Sequence, residues 1–324
     1  MDIKTTLQTF PARPRIMFMG TPQFAVPTLR TLVQKGYDIV SVVTQPDRPK
    51  GRGRKLTPSP VKLVAEEQGL EILQPQRLDD GFLQILNACE PELLVVVAFG
   101  QIIPGKLLRA VRWGGINIHA SLLPKYRGSA PIQWAIIDGE QQTGLTTMFM
   151  DEGMDTGPIL LQHTVDIPEG QTAGELHDRL SGLAPGLLIE TLEGLAHGTV
   201  KAKEQDNTLA TYTVRLTKEH GLLDWSWPMS RVCGLIRGLD PWPGAFTFFN
   251  KKMLKLYGCC LAETGQTGSA PGTVRDVTEQ GLEIEAGNGS VIVRDIQAPG
   301  KKRLPAREFV KGSPLGLGSI LGTS

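Results

Sequence analysis

The residues Leu93-Leu94-Val95-Val96-Val97-Ala98 are apolar without interruption. Successive side chains of a strand point to opposite faces, so a strand with no polar position has both faces covered, as in a parallel sheet clad by helices. Outward from this run, Arg15 to Met19 (RIMFM) is a second short apolar stretch; Gly20-Thr21-Pro22 follows, then a helical pattern that reaches Gln34 and stops at Gly36. Ile39, Val40, Val42 and Val43 give a further strand, and Val61 to Gln68 a short helix. Gly115 to His119 reads as strand, Pro131 to Asp138 as helix, Gly144 to Met150 as strand and Thr172 to Gly198 as a closing helix. Strands alternating with helices predict an α/β fold built on a mostly parallel sheet.

Thr199 to Lys218 is polar and shows no sustained period, which predicts a linker or exposed crossover. Beyond it the texture changes to short alternating runs. In GLEIEAGNGSVIV, Leu282, Ile284 and Ala286 alternate with Glu283 and Glu285, and Gly287-Asn288-Gly289 supplies a hairpin turn. Similar runs at 244–249, 252–257, 272–277, 281–285 and 290–296 predict a small β-barrel of the OB type. The expected organisation is an N-terminal extension over 1–14, an α/β domain over 15–200, a linker over 201–218 and a C-terminal β-barrel over 219–324.

Composition narrows the class. The chain has 324 residues and 40% hydrophobic content, enough for two packed domains and incompatible with disorder. Its charge-free stretches, Leu93 to Gly105 among them, all fall short of the roughly 18 apolar residues a membrane span needs, so no membrane association is expected. Met1 to Pro14 lacks an apolar signal core and reads as a ragged tail on a cytoplasmic protein of bacterial type. Cys89, Cys233, Cys259 and Cys260 show no C-x-x-C spacing and read as reduced, buried thiols. The histidines are scattered without zinc-ligand spacing, so no metal is expected. No apolar seam is evident in the pattern, and a monomer is expected.

Net charge is +1, yet the signs are segregated. Gln45 to Lys62 (QPDRPKGRGRKLTPSPVK) holds six basic residues against one acid, and Lys301, Lys302, Arg303, Arg307 and Lys311 crowd the end of the chain.

The chemistry is concentrated in Gly114-Gly115-Ile116-Asn117-Ile118-His119-Ala120-Ser121. Asn117 and His119 share one face of the strand, and in an open parallel sheet ligands bind beyond the carboxyl ends of strands. Two polar residues at a strand end more often satisfy backbone groups than perform chemistry. A second feature shifts the balance: Asp151-Glu152-Gly153-Met154-Asp155-Thr156-Gly157, a turn bearing acids directly after the next strand. A carboxylate beside His119 would fix the ring, and Asn117 could donate to an oxygen that becomes negative; the trio suits attack on a carbonyl. No nucleophile elbow is present, which favours direct transfer to a bound amine over a covalent acyl-enzyme. The Gly20-Thr21-Pro22 turn lacks both the G-x-G-x-x-G fingerprint and the P-loop lysine, which disfavours nucleotide cofactors.

These residues resemble the folate-dependent formyltransferases, in Asn117-Ile118-His119 through Ser121-Leu122-Leu123-Pro124-Lys125-Tyr126-Arg127-Gly128 and in Asp155-Thr156-Gly157. Thr44-Gln45-Pro46-Asp47-Arg48-Pro49, Gly51-Arg52-Gly53-Arg54, Pro58-Ser59-Pro60-Val61-Lys62, Ala130-Pro131-Ile132-Gln133 and Trp242-Pro243 extend the likeness over nearly the whole chain. They point to members whose acceptor is an aminoacylated tRNA. The resemblance implies a Rossmann-like catalytic domain and transfer of a formyl group from 10-formyltetrahydrofolate to the α-amine of methionyl initiator tRNA. It also implies that Asn117, His119 and Asp155 are catalytic: Asn117 and the protonated His119 would serve the oxyanion, while Asp155 holds the imidazole and helps a water take the amine proton. Folate is then expected against Phe99, Gly100, Gln101, Ile102, Ser121, Leu122, Leu123, Pro124 and Asp151.

Between Gln45 and Leu56, glycines and prolines disfavour regular structure, and Arg48, Lys50, Arg52, Arg54 and Lys55 supply charge that could order on RNA. A solvated basic loop is the bland alternative. Lys301, Lys302 and Arg303 would track the acceptor arm. Trp225, Trp227 and Trp242 read as packing residues of a small barrel. Rival readings are a formyltransferase for glycinamide ribonucleotide or an amino sugar nucleotide, a non-catalytic tRNA-binding module, and a nicotinamide oxidoreductase. The first needs no basic loop, the second no catalytic trio, and the third would need the absent glycine fingerprint.

Overall fold

The computed structural model describes residues 9–50, 55–262 and 268–322. Its first sheet has seven strands: β1 (Ile16–Gly20), β2 (Ile39–Val43), β3 (Ile72–Leu73), β4 (Leu93–Val97), β5 (Gly115–His119), β6 (Gln142–Phe149) and β7 (Ile159–Asp166). Their spatial order is β7-β6-β5-β4-β1-β2-β3. The pairs β1–β2, β1–β4, β2–β3 and β4–β5 are parallel, whereas β6 runs antiparallel to β5 with His119 opposite Thr146 and Asn117 opposite Met148. This is the predicted mostly parallel sheet. All of β1 and β4 is buried, as their unbroken apolar sequences require, and each large side chain so covered contributes about 1.5–3 kcal/mol.

The helices are α1 (Val26–Gln34), α2 (Pro60–Glu67), α3 (Asp80–Cys89), α4 (Gly105–Ala110), α5 (Pro131–Ile137), α6 (Ala173–Ala196), α7 (Met229–Gly238) and α8 (Ala306–Lys311). α3, α4, α7 and α8 have no counterpart in the pattern reading. α3 is instead fixed locally: the Asp79 carboxylate caps it by accepting from the backbone N–H groups of Gly81 and Phe82. Among the described residues no helix is long and apolar enough to cross a membrane.

Two compact units emerge, one formed by residues 1–127, 144–164 and 178–212, the other by 128–143, 165–177 and 213–324. The second holds an antiparallel sheet of β8 (Ala245–Phe249), β9 (Lys252–Leu261), β10 (Val274–Val277), β11 (Leu282–Ala286) and β12 (Gly289–Gln297) in the order β8-β9-β12-β11-β10. Leu256, Val274, Ile284, Val291 and Val293 lie in its core. On α7, a Cβ at Gly234 would stand 2.8 Å from the Ile137 carbonyl oxygen and one at Gly238 2.9 Å from that of Gln133, so glycine permits the close approach of α7 to α5.

Two expectations need correction, and one alternating run conceals buried charge. Glu283 and Glu285 do not face water: both are buried, because Arg275 from β10 reaches them at 3.3 and 3.2 Å, and Ser290 donates to Glu283 at 2.6 Å. Charge pairing here overrides the alternation rule. Trp225 is buried as expected, donating to Thr247, but Trp242 is 57% exposed. Finally, the N-terminal extension is no ragged tail from residue 9 on. Phe10 is buried with its ring 5.2 Å from that of Trp113, and Arg13 donates to the carbonyls of Lys35 and Gly36; residues 1–8 lie outside the described residues.

Candidate active site

β5 ends at His119, and the chain then turns through Ser121 to Tyr126. The turn is pinned to β6: Thr146 Oγ1 donates to the Ser121 carbonyl at 2.7 Å and accepts from the Leu123 N–H at 3.2 Å. It curls back far enough for the Tyr126 carbonyl to lie 2.8 Å from His119 Nε2. A carbonyl only accepts, so Nε2 carries hydrogen and the ring is oriented by that bond. His119 Nδ1 then faces Asp155, with Oδ2 at 3.6 Å. Asn117, two residues earlier on the same strand face, directs Nδ2 to Asp155 Oδ1 at 3.4 Å. Thus the three residues singled out as catalytic meet at one carboxylate, beyond the carboxyl end of a central strand. His119 is buried, while the Asp155 side chain keeps 17% exposure, enough for a reactant to reach it.

The acid is delivered by a tight turn. Asp151 accepts from the Gly153 N–H at 3.0 Å and from Thr156 Oγ1 at 2.7 Å, closing the loop on itself, and Glu152 ion-pairs with Arg109. Asp155 sits at φ +55°, a left-handed conformation that side chains other than glycine and asparagine or aspartate rarely adopt. Gly157 follows, and a Cβ there would fall 1.8 Å from the Phe149 carbonyl oxygen. The turn therefore has one path available to it.

The residues expected to hold folate divide. Ile102 is 83% exposed, Asp151 and Gly100 are exposed, and Gln101, Leu122 and Pro124 are half-buried. Phe99, Ser121 and Leu123 instead turn inward. Phe99 joins the core, with its carbonyl accepting from Thr21, and Ser121 donates to the Lys125 carbonyl at 2.6 Å.

The described parts of the basic segment on either side of residues 51–54 are strands. Arg48–Lys50 and Lys55–Thr57 pair as an antiparallel ribbon, with Lys50 opposite Lys55, and Arg48 is exposed. At the ribbon's base Asp47 accepts from Lys62 Nζ at 2.7 Å and from Gln74 Nε2 at 2.8 Å. Those bonds hold the Asp47 carboxyl below its ordinary range. Arg52 and Arg54 lie outside the described residues. Lys301 and Lys302 are exposed, and the Arg303 guanidinium is engaged by Asp240 at 2.8 and 3.1 Å and by Asp295 at 2.8 Å, over the Tyr257 ring. Among the described residues no cluster of three or more His, Cys, Asp or Glu could hold a metal.

With this geometry established, comparison with known proteins is decisive. The formyl transferase family model matches residues 14–192, and the model for the formyl transferase C-terminal domain matches 215–314. A methionyl-tRNA formyltransferase of Citrifermentans bemidjiense is 47% identical over 310 residues, covering 95% of this chain and 96% of its own. One from Geobacter metallireducens is 49% identical over 310 residues, covering 95% and 98%. The chain belongs to the methionyl-tRNA formyltransferase family. Solved structures show the formyltransferase fold at greater distance. HypX from Aquifex aeolicus in complex with tetrahydrofolic acid matches with a TM-score of 0.61 and 18% identity, covering 96% of this chain and 51% of that one. The N-formyltransferase from Helicobacter canadensis, in complex with folinic acid and dTDP-3-aminofucose, matches at 0.65 and 18%, covering 88% and 99%.

Two residues near the site carried no signal of their own. Arg127 stands inside the formyltransferase motif but is 1% exposed, donating to Gln205, Asn207 and Tyr212. Gln205 falls in the segment read as a linker, yet it is 8% exposed and bonded to the backbone of the Asp155 turn. A lone glutamine in a polar run shows no period, so nothing in its surroundings marks it as buried.

Proposed function

We propose that Asn117, His119 and Asp155 carry out the reaction of this family in this chain: transfer of the formyl group of 10-formyltetrahydrofolate to the α-amino group of methionyl initiator tRNA, giving formylmethionyl-tRNA for translation initiation. The convergence of Asn117 Nδ2 and His119 Nδ1 on the Asp155 carboxylate carries this reading. Two hydrogen-bond donors and one acid at a half-open point are the set that addition to a formyl carbon needs. The amine nitrogen bonds to the formyl carbon as the carbonyl oxygen takes up charge. Asn117 Nδ2 and protonated His119 Nδ1 donate to that oxyanion, which is stabilisation of the kind that commonly dominates acyl transfer. The Tyr126 carbonyl holds the ring at Nε2, which leaves the Nδ1 hydrogen for the oxyanion, and Asp155, through a water, relieves the attacking amine of its proton. Collapse breaks the bond from the formyl carbon to the folate nitrogen, which leaves protonated as tetrahydrofolate.

Folate lies, on this reading, along Gly100, Gln101, Ile102, Leu122, Pro124 and Asp151, with Phe99, Ser121 and Leu123 supporting them. The basic segment that carries Arg48, Lys50, Arg52, Arg54 and Lys55 meets the tRNA end, and Lys301 and Lys302 meet its phosphates, so binding weakens as salt rises. We take 15–200 as the catalytic domain, 201–218 as the linker and 219–324 as an OB-like barrel for tRNA; the antiparallel sheet within 245–305 supports a β domain there. The protein works as a cytoplasmic monomer.

The test is acceptor choice. With 10-formyltetrahydrofolate as donor, methionyl initiator tRNA should be formylated and glycinamide ribonucleotide or an amino sugar nucleotide should not. Transfer to a small acceptor instead would overturn the tRNA reading.

A further inference from the structure

We infer that Gln205 and Arg127 are positioning residues for the Asp155 carboxylate, an inference that rests on the reading of Asp155 as catalytic. Gln205 Nε2 donates to the Asp155 carbonyl and to the Gly157 carbonyl, both at 2.8 Å. A primary amide has two N–H groups, and both are used on the turn that carries the acid. The other end of the amide is equally determined: Gln205 Oε1 accepts from Arg127 Nε at 3.1 Å and Nη2 at 2.8 Å. Because a guanidinium only donates, the oxygen must face Arg127 and the nitrogen must face the turn, so the amide has one orientation. Arg127 is itself fixed, its Nη2 donating to Asn207 Oδ1 at 2.7 Å and its Nη1 to Tyr212 Oη at 3.1 Å, with the Tyr212 ring 5.8 Å away.

The clamp is placed where the backbone needs it. Asp155, at φ +55°, would relax toward an extended conformation if its carbonyl and that of Gly157 were released. Such a relaxation swings the carboxylate away from His119 Nδ1 and Asn117 Nδ2, whose distances of 3.6 and 3.4 Å leave little slack. A displacement of about 1 Å at a reacting group costs on the order of 10²-fold in rate. Gln205 and Arg127 touch no reacting atom in this account and act only through Asp155.

The test is a double-mutant cycle built on Gln205→Glu, which keeps the shape of the side chain and its acceptors for Arg127 but replaces the N–H donors with an oxygen that repels both carbonyls. In the otherwise wild-type enzyme kcat should fall on the order of 10²-fold, with KM for both substrates within roughly twofold, and any fall in melting temperature should be the same with and without Asp155. In an Asp155→Ala background the same substitution should cost less than about twofold, since the group it positions is gone. An equal loss in both backgrounds, or wild-type kcat in the single variant, would overturn the inference. Should Gln205→Glu fail to fold, Tyr212→Phe removes the acceptor of Arg127 Nη1 and keeps the ring. It should lower kcat severalfold in the wild type alone, and no difference between backgrounds would again overturn the proposal. Wild-type kcat in Asp155→Ala by itself would instead sink the catalytic assignment of Asp155, and with it the premise, so the two failures are distinguishable.

Discussion

Gly157→Ala probes how tightly the acid-bearing turn is determined. The added Cβ would stand 1.8 Å from the Phe149 carbonyl oxygen, whereas real Cβ contacts stay beyond 3.0 Å, so backbone must open by at least 3.0 − 1.8 = 1.2 Å. The obstacle is main chain on a paired strand and cannot rotate away as a flexible side chain would. Overpacking of this kind costs about 1–3 kcal/mol. The same shift pulls on the bond from the Phe149 N–H to the Pro158 carbonyl and on the Gly157 carbonyl held by Gln205. Asp155 is two residues away, so a displacement near 1 Å should reach it and lower kcat on the order of 10²-fold. Thermal unfolding and steady-state formyl transfer measure the two effects on one sample. A variant with both the melting temperature and kcat of the wild type would refute the claim that the turn has one available path.

Arg303→Ala should lower stability by roughly 1–3 kcal/mol, because Asp240 would remain buried without its guanidinium while keeping its bond from the Gly258 N–H; a loss of tRNA affinity with unchanged melting would contradict the structural role assigned to it. Asp47 should titrate below the ordinary aspartate value in carbon-detected NMR, held down by Lys62 and then Gln74. Since its folded value lies below the unfolded one, its contribution is complete above the ordinary aspartate range and is lost as pH falls through the lowered value; a midpoint at or above the ordinary value would refute the clamp. Burial pushes the Cys259 thiol well up, so it should resist iodoacetamide in the native protein and react after unfolding, and rapid native alkylation would contradict its placement.

The legible parts of this molecule were those in which one physical requirement repeats along the chain. β4 announces itself because covered strands must be apolar at every position, and β5 because Asn117 and His119 interrupt an otherwise apolar strand on one face only. Asp155 was legible as an acid in a glycine-flanked turn directly after a strand. What stayed hidden depends on single long-range partners. Glu283 and Glu285 alternate like solvent-facing residues and are buried only because Arg275 arrives from another strand. Arg303 reads as one more cation in a basic run until Asp240, 63 residues earlier, is brought beside it. The ribbon at Arg48–Lys50 and Lys55–Thr57 forms against local preference, anchored by Lys62 and Gln74 at its base. Gln205 is the sharpest case. Its neighbours in sequence are polar, its partners lie 48 to 78 residues away, and its role exists only in three dimensions.

The central claim is that Asn117, His119 and Asp155 act together on the transferred formyl group, and the most direct measurement is single-turnover formyl transfer to methionyl initiator tRNA by Asn117→Ala. The account predicts a rate lower by about 10²–10³-fold, the usual cost of one oxyanion donor, with tRNA and folate binding and the melting temperature retained. A rate within a few fold of the wild type would contradict it, because a donor directed at the site of charge development cannot be removed without consequence.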